Sequence, residues 1–304
     1  MDWKSTQAEC TELNHTFVVA KPAVVIELYG DGLKVSPHGE ALLDPFLAVL
    51  PDKTPLYVLG NNDRQYKNLT PQSMRRIRQT LKELDKRGRF YSIKDAPEFN
   101  AGRFSLEVHV GSTHATLADS VQLALPVEWG DPENASRVVE LFSKYVTSVP
   151  FWTGVAGYGF SLVWGREFEQ KGMPVNFQLA KRFHGVLIRD RNQENILVKK
   201  LKSAGWLTYL NRELVEKVGG AEALTSAVGP AVTVSPLGDG LLLRTGPTPP
   251  VGDVNRQDKD VEPLAAVNRA IKQIRIQRWL STNLFNADLS QTREPADAWL
   301  ARFD

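Results

Sequence analysis

The sequence predicts an α+β fold in which mainly antiparallel sheets are flanked by helices, and it allows two similar sheet–helix halves. Two Gly-Asp-Gly pieces have the composition of a hairpin turn: residues 30–32 follow an apolar run, and residues 238–240 lie between the segments 232–235 and 240–244. Hairpin patterns of this kind outnumber clean strand–helix–strand crossovers. Amphipathic helical segments lie between them, so helices should cover the sheets.

The strands of the first half are predicted from β-branched and alternating segments. Ala23–Tyr29 is apolar and ends at Gly30-Asp31-Gly32, which predicts a strand, a tight turn and a second strand. Phe104–Val110 alternates apolar and polar residues, as a half-buried strand does. Ser120–Leu125 and the glycine-bearing segment Gly154–Trp164 complete the set.

Two helices of the first half carry recognisable ends. Thr70-Pro71 is a good helix start, because Thr caps the first turn and Pro fits within it. Apolar residues then recur every three or four positions from Met74 to Leu84, and Gly88 should end this helix. The next helix should begin near Asp131 and stop at Pro150.

The second half repeats the alternation of strands and helices. We expect short strands at residues 206–210, 232–235 and 240–244, and helices at 175–183, 212–218, 221–228 and 263–273. Apolar residues in the tail, Trp299, Leu300 and Phe303, suit a short terminal helix docked on the body. We therefore divide the chain at residue 150 into halves 1–150 and 151–304, which can equally form one compact unit.

Composition excludes several classes of protein. The 304 residues carry 37 Lys and Arg against 35 Asp and Glu, a net charge of +2, with 42% hydrophobic residues. These values exclude a disordered chain, a collagen-like repeat and a wholly acidic nucleic-acid mimic. The sequence shows neither a secretory signal nor an apolar stretch near the roughly 18 residues of a membrane span. With Cys10 as its single cysteine, the chain is expected in the cytoplasm.

No pattern in the sequence predicts an active site. His109 and His114 lack the spacing of a metal motif, and Gly154-x-x-Gly157-x-Gly159 matches neither common phosphate loop. Close packing of aromatic residues explains these glycines better. Ser161 lacks the glycines of a nucleophile elbow, and Cys10 has no predictable partner. We therefore expect no catalytic, cofactor-binding or metal-binding residues, and no enzymatic activity.

Two charged segments have both a functional and a structural interpretation. Seven cations between Arg75 and Arg89 fit a nucleic-acid patch or, better, a solvated helix face. An acidic cluster, Asp253, Asp258, Asp260 and Glu262, fits an exposed loop or a surface for a basic partner.

Several stretches of the second half carry a family resemblance. They are Leu179–Gly185, Ser203–Leu210, Gly219-Gly220 with Ala223-Leu224, Gly246-Pro247-x-Pro249 and Gly252-Asp253-Val254-Asn255-Arg256. In order and spacing, from about Phe151 to Ile276, the chain resembles the TsiV-like family of type VI secretion immunity proteins. Some members of that family are partnered with DNases of the VRR-Nuc type.

The resemblance implies an immunity protein that binds a cognate VRR-Nuc type toxin in a 1:1 complex and covers its substrate-binding face. Such an inhibitor needs local acidic groups, because a nuclease carries cations that hold phosphate. The expected contact residues are Glu167, Glu169, Asp258, Asp260, Glu262, Trp164 and Trp206. Core packing is the alternative for the two tryptophans. No membrane or direct nucleic-acid partner is expected; a nucleic-acid-binding adaptor and an enzyme that reverses toxin damage remain alternatives.

Overall fold

One antiparallel sheet of eleven strands organises the computed structural model, which confirms the predicted α+β class. The described residues are 3–12, 15–31, 35–60, 63, 65–82, 89–110, 118–163, 178–188, 199–257, 259–278 and 294–304. The strand order is β10-β11-β9-β8-β2-β7-β6-β5-β3-β4, and β1 pairs with β2 beside this path.

The strands and helices of the described residues have the following bounds. The strands are β1 Ala8–Glu12, β2 His15–Asp31, β3 Tyr57–Gly60, β4 Lys67–Asn68, β5 Arg89–Lys94, β6 Ser105–Val110, β7 Ala118–Pro126, β8 Phe151–Leu162, β9 Leu207–Leu210, β10 Thr233–Leu237 and β11 Gly240–Arg244. The α-helices are α1 Asp44–Leu47, α2 Pro71–Lys82, α3 Ala135–Ser148, α4 Arg212–Lys217, α5 Gly220–Val228, α6 Glu262–Ala270 and α7 Glu294–Leu300. Residues 178–182 form a further helical turn, and 3-10 helices span Trp3–Ser5, Ser36–Leu42, Val127–Gly130 and Lys272–Ile274.

Strand β2 lies at the centre because its apolar run is buried on both faces. It pairs with β7 from Ala23↔Pro126 to Asp31↔Ala118. On its other edge it pairs with β8, beginning at Ala20↔Leu162. Since β8 belongs to residues 151–304 and β2 to residues 1–150, the two halves contribute to a single sheet.

The two Gly-Asp-Gly pieces have different structures. The piece at residues 238–240 forms the predicted hairpin, with Leu237 paired to Gly240 across the turn. The hairpin predicted after Ala23–Tyr29 is wrong, because the next described element is the 3-10 helix Ser36–Leu42. Residues 32–34 lie outside the described part of the chain. Along residues 23–30 both edges of β2 are paired, with β7 and β8, which leaves no edge there for the predicted hairpin.

Alternate residues of β2 pack into separate cores on the two faces of the sheet. Val24, Ile26 and Leu28 pack in the core that contains residues of α1, α2 and α3. Val25 and Tyr29 pack in the core that contains residues of α4 to α7. The docked terminal helix is confirmed, because Trp299, Leu300 and Phe303 are buried in this second core.

The prediction that Phe104–Val110 is half-buried is wrong. Strand β6 occupies this segment, but its polar residues Ser105 and Glu107 are buried as completely as its apolar ones. Strand pairing aligns Glu107 with Gln122 of β7, and Gln122 with Glu27 of β2. The polar face of this part of the sheet is therefore an interior row of polar side chains.

The two N-terminal helix predictions are confirmed. The Ser73 N–H donates to Thr70 Oγ1 at 3.1 Å, and the Thr70 N–H donates to Ser73 Oγ at 2.8 Å, a reciprocal cap at the start of α2. Helix α3 buries Val138 and Phe142 and ends before Pro150. The predicted stop of α2 at Gly88 lies outside the described residues.

Candidate protein-contact surface

The expected contact residues fall into three groups in the structure. Trp164, Glu167, Glu169 and Asp258 lie outside the described residues. Asp260 and Glu262 are exposed, close to each other in the chain, beside the start of α6. Trp206 is buried.

The surroundings of Trp206 match the core-packing interpretation. Its side chain is 1% exposed, and its indole N–H donates to the Gly246 carbonyl oxygen at 2.8 Å. The Arg244 guanidinium lies 5.4 Å from the centre of the ring. A partner that docks on the folded protein therefore cannot contact this ring, and Trp206 is not part of the exposed surface.

A buried carboxylate organises the loop before α6. Asp253 Oδ1 accepts from Arg182 Nε at 3.0 Å, and Oδ2 accepts from Arg182 Nη2 at 2.7 Å. This two-point geometry is the strong form of an arginine–carboxylate pair. The hydrogen bonds from Arg182 hold the pKa of Asp253 below its usual value, and Asp253 raises the pKa of Arg182. Both groups therefore stay charged across the physiological pH range.

Backbone hydrogen bonds fix the same loop to the segment that carries Arg182. The N–H of Val254 donates to the Arg182 carbonyl at 3.0 Å, and the N–H of His184 donates to the Gly252 carbonyl at 3.0 Å. Asp260 Oδ2 accepts from the backbone N–H of Val251 at 2.9 Å and of Gly252 at 3.3 Å. Asp260 is thus exposed at the surface while one of its oxygens holds the loop.

The clamped loop presents a short run of side chains to solvent. Val254 is 40% exposed, and Asn255 and Arg256 beside it are also exposed. Gly252 has φ +65° in the fold of this loop, and a Cβ there would approach Val261 to 2.4 Å. We call residues 251–257 with Asp260 and Glu262 the contact loop. Its interior contacts are made by Gly252 and Asp253, and its outward face is made by the residues that follow them.

The remaining sequence candidates have structural explanations. Arg78 in the basic helix α2 pairs with Asp44 at 2.5 Å and lies 3.9 Å from Glu40, which fits a solvated helix face. A Cβ on Gly154 would approach the Leu28 side chain to 2.4 Å, so this glycine serves close packing. Ser161 is fully buried in β8.

The possible metal ligands form no site in the part of the chain that is described. No group of three or more His, Cys, Asp or Glu residues that could hold a metal ion occurs among the described residues. His109 is half-buried on β6, and His114 lies outside the described residues. The backbone of Cys10 belongs to β1, and its side chain is not described.

Sequence reasoning missed a buried ion pair. Lys202 Nζ lies 2.5 Å from Glu27 Oε2, and Tyr29 donates its hydroxyl to the same oxygen at 2.7 Å. Lys202 also donates to the Ile188 carbonyl at 2.8 Å. The available signal was a glutamate within the apolar run Ala23–Tyr29, because a buried charge requires an opposite charge nearby.

Comparison with known proteins decides the family. The family model described as "Type VI immunity for VRR-NUC", TsiV, matches residues 42–303. The chain belongs to the TsiV family. The match includes the contact loop and extends well beyond the stretch, from about residue 151 to 276, that carries the resemblance in the sequence. The chain is accordingly a type VI immunity protein, and its partner is a VRR-Nuc effector.

A solved structure shows that this fold occurs in a second type VI secretion protein. The Pseudomonas aeruginosa T6SS protein PA0821 superposes with a TM-score of 0.79 at 21% identity, over 95% of this chain and 83% of that chain. No curated protein matches the chain. None of the helices in the described part of this TsiV chain is long and apolar enough to cross a membrane.

Proposed function

We propose that this TsiV protein neutralises its VRR-Nuc effector by forming a 1:1 complex in the cytoplasm that covers the substrate-binding face of the nuclease. The clamped contact loop carries this proposal. Its outward residues are held in one conformation before binding, so little conformational entropy is lost when the toxin docks. A preorganised surface of this kind suits tight, stoichiometric inhibition.

The charges of the contact loop fit one part of a nuclease surface. Glu262 is exposed in the first turn of α6, and its carboxylate makes no ion pair or hydrogen bond among the described residues. Both backbone N–H groups that bind Asp260 donate to Oδ2, and neither of them contacts Oδ1. A nuclease binds phosphate through cations, so these carboxylates can oppose the groups that would hold DNA.

The proposal is stoichiometric inhibition rather than enzymatic reversal of toxin damage, and the burial of the Glu27 carboxylate fits it. Glu27 is 0% exposed and its charge is matched by Lys202. A substrate cannot reach that carboxylate without opening the sheet. The exposed acids of the contact loop are suited to protein contacts.

Titration of the nuclease with purified immunity protein tests the proposal. DNA cleavage should stop near equal molarity, and a complex of one copy of each chain should elute from size exclusion. Protection far below one equivalent would indicate catalysis and contradict the proposal. Salt-dependent DNA binding by the immunity protein alone would favour the adaptor instead.

A matched pair of variants tests the contact loop itself. Glu262 and Glu222 both lie exposed in the first turn of a helix, α6 and α5 respectively. Glu262→Gln should weaken toxin binding about tenfold, from a coupling of roughly 1.5 kcal/mol for a close charge pair. Glu222→Gln should leave the affinity unchanged. Equal affinities for both variants would remove Glu262 from the interface.

A further inference from the structure

A cavity of about 280 Å³ lies beside the first residues of the described chain. Its walls come from residues 4–7, which begin within the 3-10 helix Trp3–Ser5, from the part of β2 at Lys21 and Pro22, from Arg103, and from residues 126–128. The contact loop contributes no wall residue. The cavity is therefore distinct from the contact loop.

Cations outnumber carboxylates in the walls of this cavity. Lys4, Lys21 and Arg103 line it, against the single carboxylate of Glu128. Lys4 pairs with Asp131, and Arg103 pairs with Glu128. Two of the three cations are thus neutralised by partners at the rim.

Lys21 is the third cation of the cavity wall and belongs to neither of these ion pairs. Its backbone pairs with Ser161 of β8, but its ammonium makes neither an ion pair nor a hydrogen bond among the described residues, although the residue is half-buried. The neighbouring carboxylate of Asp95 uses Oδ1 to accept the backbone N–H groups of Arg103 at 2.7 Å and Phe104 at 3.0 Å. Asp95 and Glu128 act on this ammonium without forming a direct ion pair with it, so an anion that contacts it inside the cavity would be favourable.

Burial and charge have the expected effect on Lys21. Desolvation lowers the pKa of its ammonium, Asp95 and Glu128 oppose this, and Arg103 adds to it. The ammonium of a lysine that extends into solvent stays hydrated, so its pKa would not be lowered by desolvation. Lys21 also lines the cavity, so a bound anion there could restore the lost solvation.

The other wall residues suit an anion with several oxygen atoms. Ser5 and Thr6 bring hydroxyl groups and Gln7 brings a side-chain amide. Gln7 Nε2 donates to Glu9 Oε1 at 2.7 Å, and its second N–H can donate to an oxygen of the ligand. Ammonium groups bind such oxygens with charge-assisted bonds. The volume is enough for a phosphate or for a small carboxylate.

We propose that this cavity binds a small oxyanion, a phosphate or carboxylate group, with Lys21 as its central cation. The anionic group belongs either to a free small molecule or to a side chain of a bound protein. Both sources present the same oxygens to the same wall.

Calorimetric titration of the full chain with inorganic phosphate, and separately with citrate, at constant ionic strength tests the site. At least one of the two should bind 1:1 with a dissociation constant in the millimolar range, about −4 kcal/mol. Lys21→Met should weaken this binding at least tenfold, and Lys21→Arg should retain it. Lys144→Met, which alters an exposed lysine on α3, is the matched control and should bind as the wild type does.

Thermal unfolding without ligand separates a lost site from a damaged fold. Because Lys21→Met removes an unpaired part-buried charge, its melting temperature without anion should equal or exceed that of the wild type. The proposal is overturned if neither phosphate nor citrate binds at an anion concentration of about ten times the millimolar dissociation constant expected above. It is equally overturned if Lys21→Met binds as tightly as the wild type.

Competition between the bound anion and the nuclease identifies the source of the anionic group. If saturating anion weakens toxin binding, the natural group is a side chain of the toxin; if the affinity is unchanged, it is a free small molecule. The site stands in either case. Binding of phosphate or citrate is measured without toxin, so failure of this proposal and failure of the proposed inhibition are distinguishable.

Discussion

Removing one member of the buried Glu27–Lys202 pair should destabilise the protein more than most single substitutions do. Glu27 is 0% exposed and the Lys202 side chain is 5% exposed. Lys202→Met keeps most of the side-chain volume but leaves a buried carboxylate whose remaining described partner is the Tyr29 hydroxyl. The lost cation, and not a cavity, is therefore the main perturbation.

The expected size follows from the cost of an uncompensated buried charge. Breaking such a pair from one side costs about 3–5 kcal/mol, a large part of the roughly 5–15 kcal/mol that holds a typical domain together. The double variant Glu27→Gln with Lys202→Met removes both charges. It should be destabilised by less than the sum of the two single variants, because each single variant leaves one buried charge without its partner and the double variant leaves none.

Urea unfolding followed by tryptophan fluorescence measures these differences. Lys200→Met, at an exposed lysine two positions away, is the control and should change the free energy of unfolding by about 0.5 kcal/mol or less. A loss below about 1 kcal/mol for Lys202→Met would refute the reasoning. Additive effects in the double variant would also refute it, since they would show that the two groups do not interact.

Three further predictions concern a buried amine, a helix cap and the contact loop. Burial lowers the pKa of Lys94 from 10.5 to about 7, so the native state binds fewer protons than the unfolded state between these values. Stability should therefore rise from pH 7 to pH 9, by at most about 1.4 kcal/mol per pH unit, and urea titrations of Lys94→Met should show this rise reduced. Thr70→Ala removes the cap of α2 and should lower the free energy of unfolding by about 1 kcal/mol in the same assay. Arg182→Lys loses the two-point contact with Asp253, so surface plasmon resonance should show about tenfold faster dissociation from the toxin, with association little changed.

The elements that the sequence predicted well are those encoded by neighbouring residues. The cap at Thr70 and the hairpin at Gly238-Asp239 depend on interactions within a few positions, and both occur as expected. The terminal helix was predicted from three apolar residues in a polar tail, and these residues are buried. Local hydrogen bonding and local amphipathicity were sufficient in each case.

The failures concern contacts between distant segments. Gly30-Asp31-Gly32 has the composition of a hairpin turn, yet the part of β2 that leads into it pairs with residues 118–126 and 151–162. The alternation in β6 predicted a solvent face, but pairing with β7 places Glu107 beside Gln122 in the interior. Composition cannot reveal which distant strand covers a polar face, and so it could not predict this burial.

The contact surface could be located only in part. Asp260 and Glu262 were expected at the interface because they are acidic, and exposure alone does not distinguish their roles. The structure does distinguish them: Asp260 holds the backbone at Val251 and Gly252, whereas Glu262 makes no such contact among the described residues. The sequence of one partner also contains no information on the residues that the other presents.

The Gly252-Asp253-Val254-Asn255-Arg256 stretch combines two requirements that an immunity protein must meet. Immunity interfaces must discriminate between toxins, which requires residues that differ from pair to pair, while the fold requires residues that do not. Here Gly252 and Asp253 face inward and hold the loop through Arg182, and the next three residues are exposed. A loop built this way can change its outward side chains without losing its conformation. We therefore propose that this shared stretch supports the contact loop, and that the contacts that select the toxin fall on exposed residues outside it, such as Glu262.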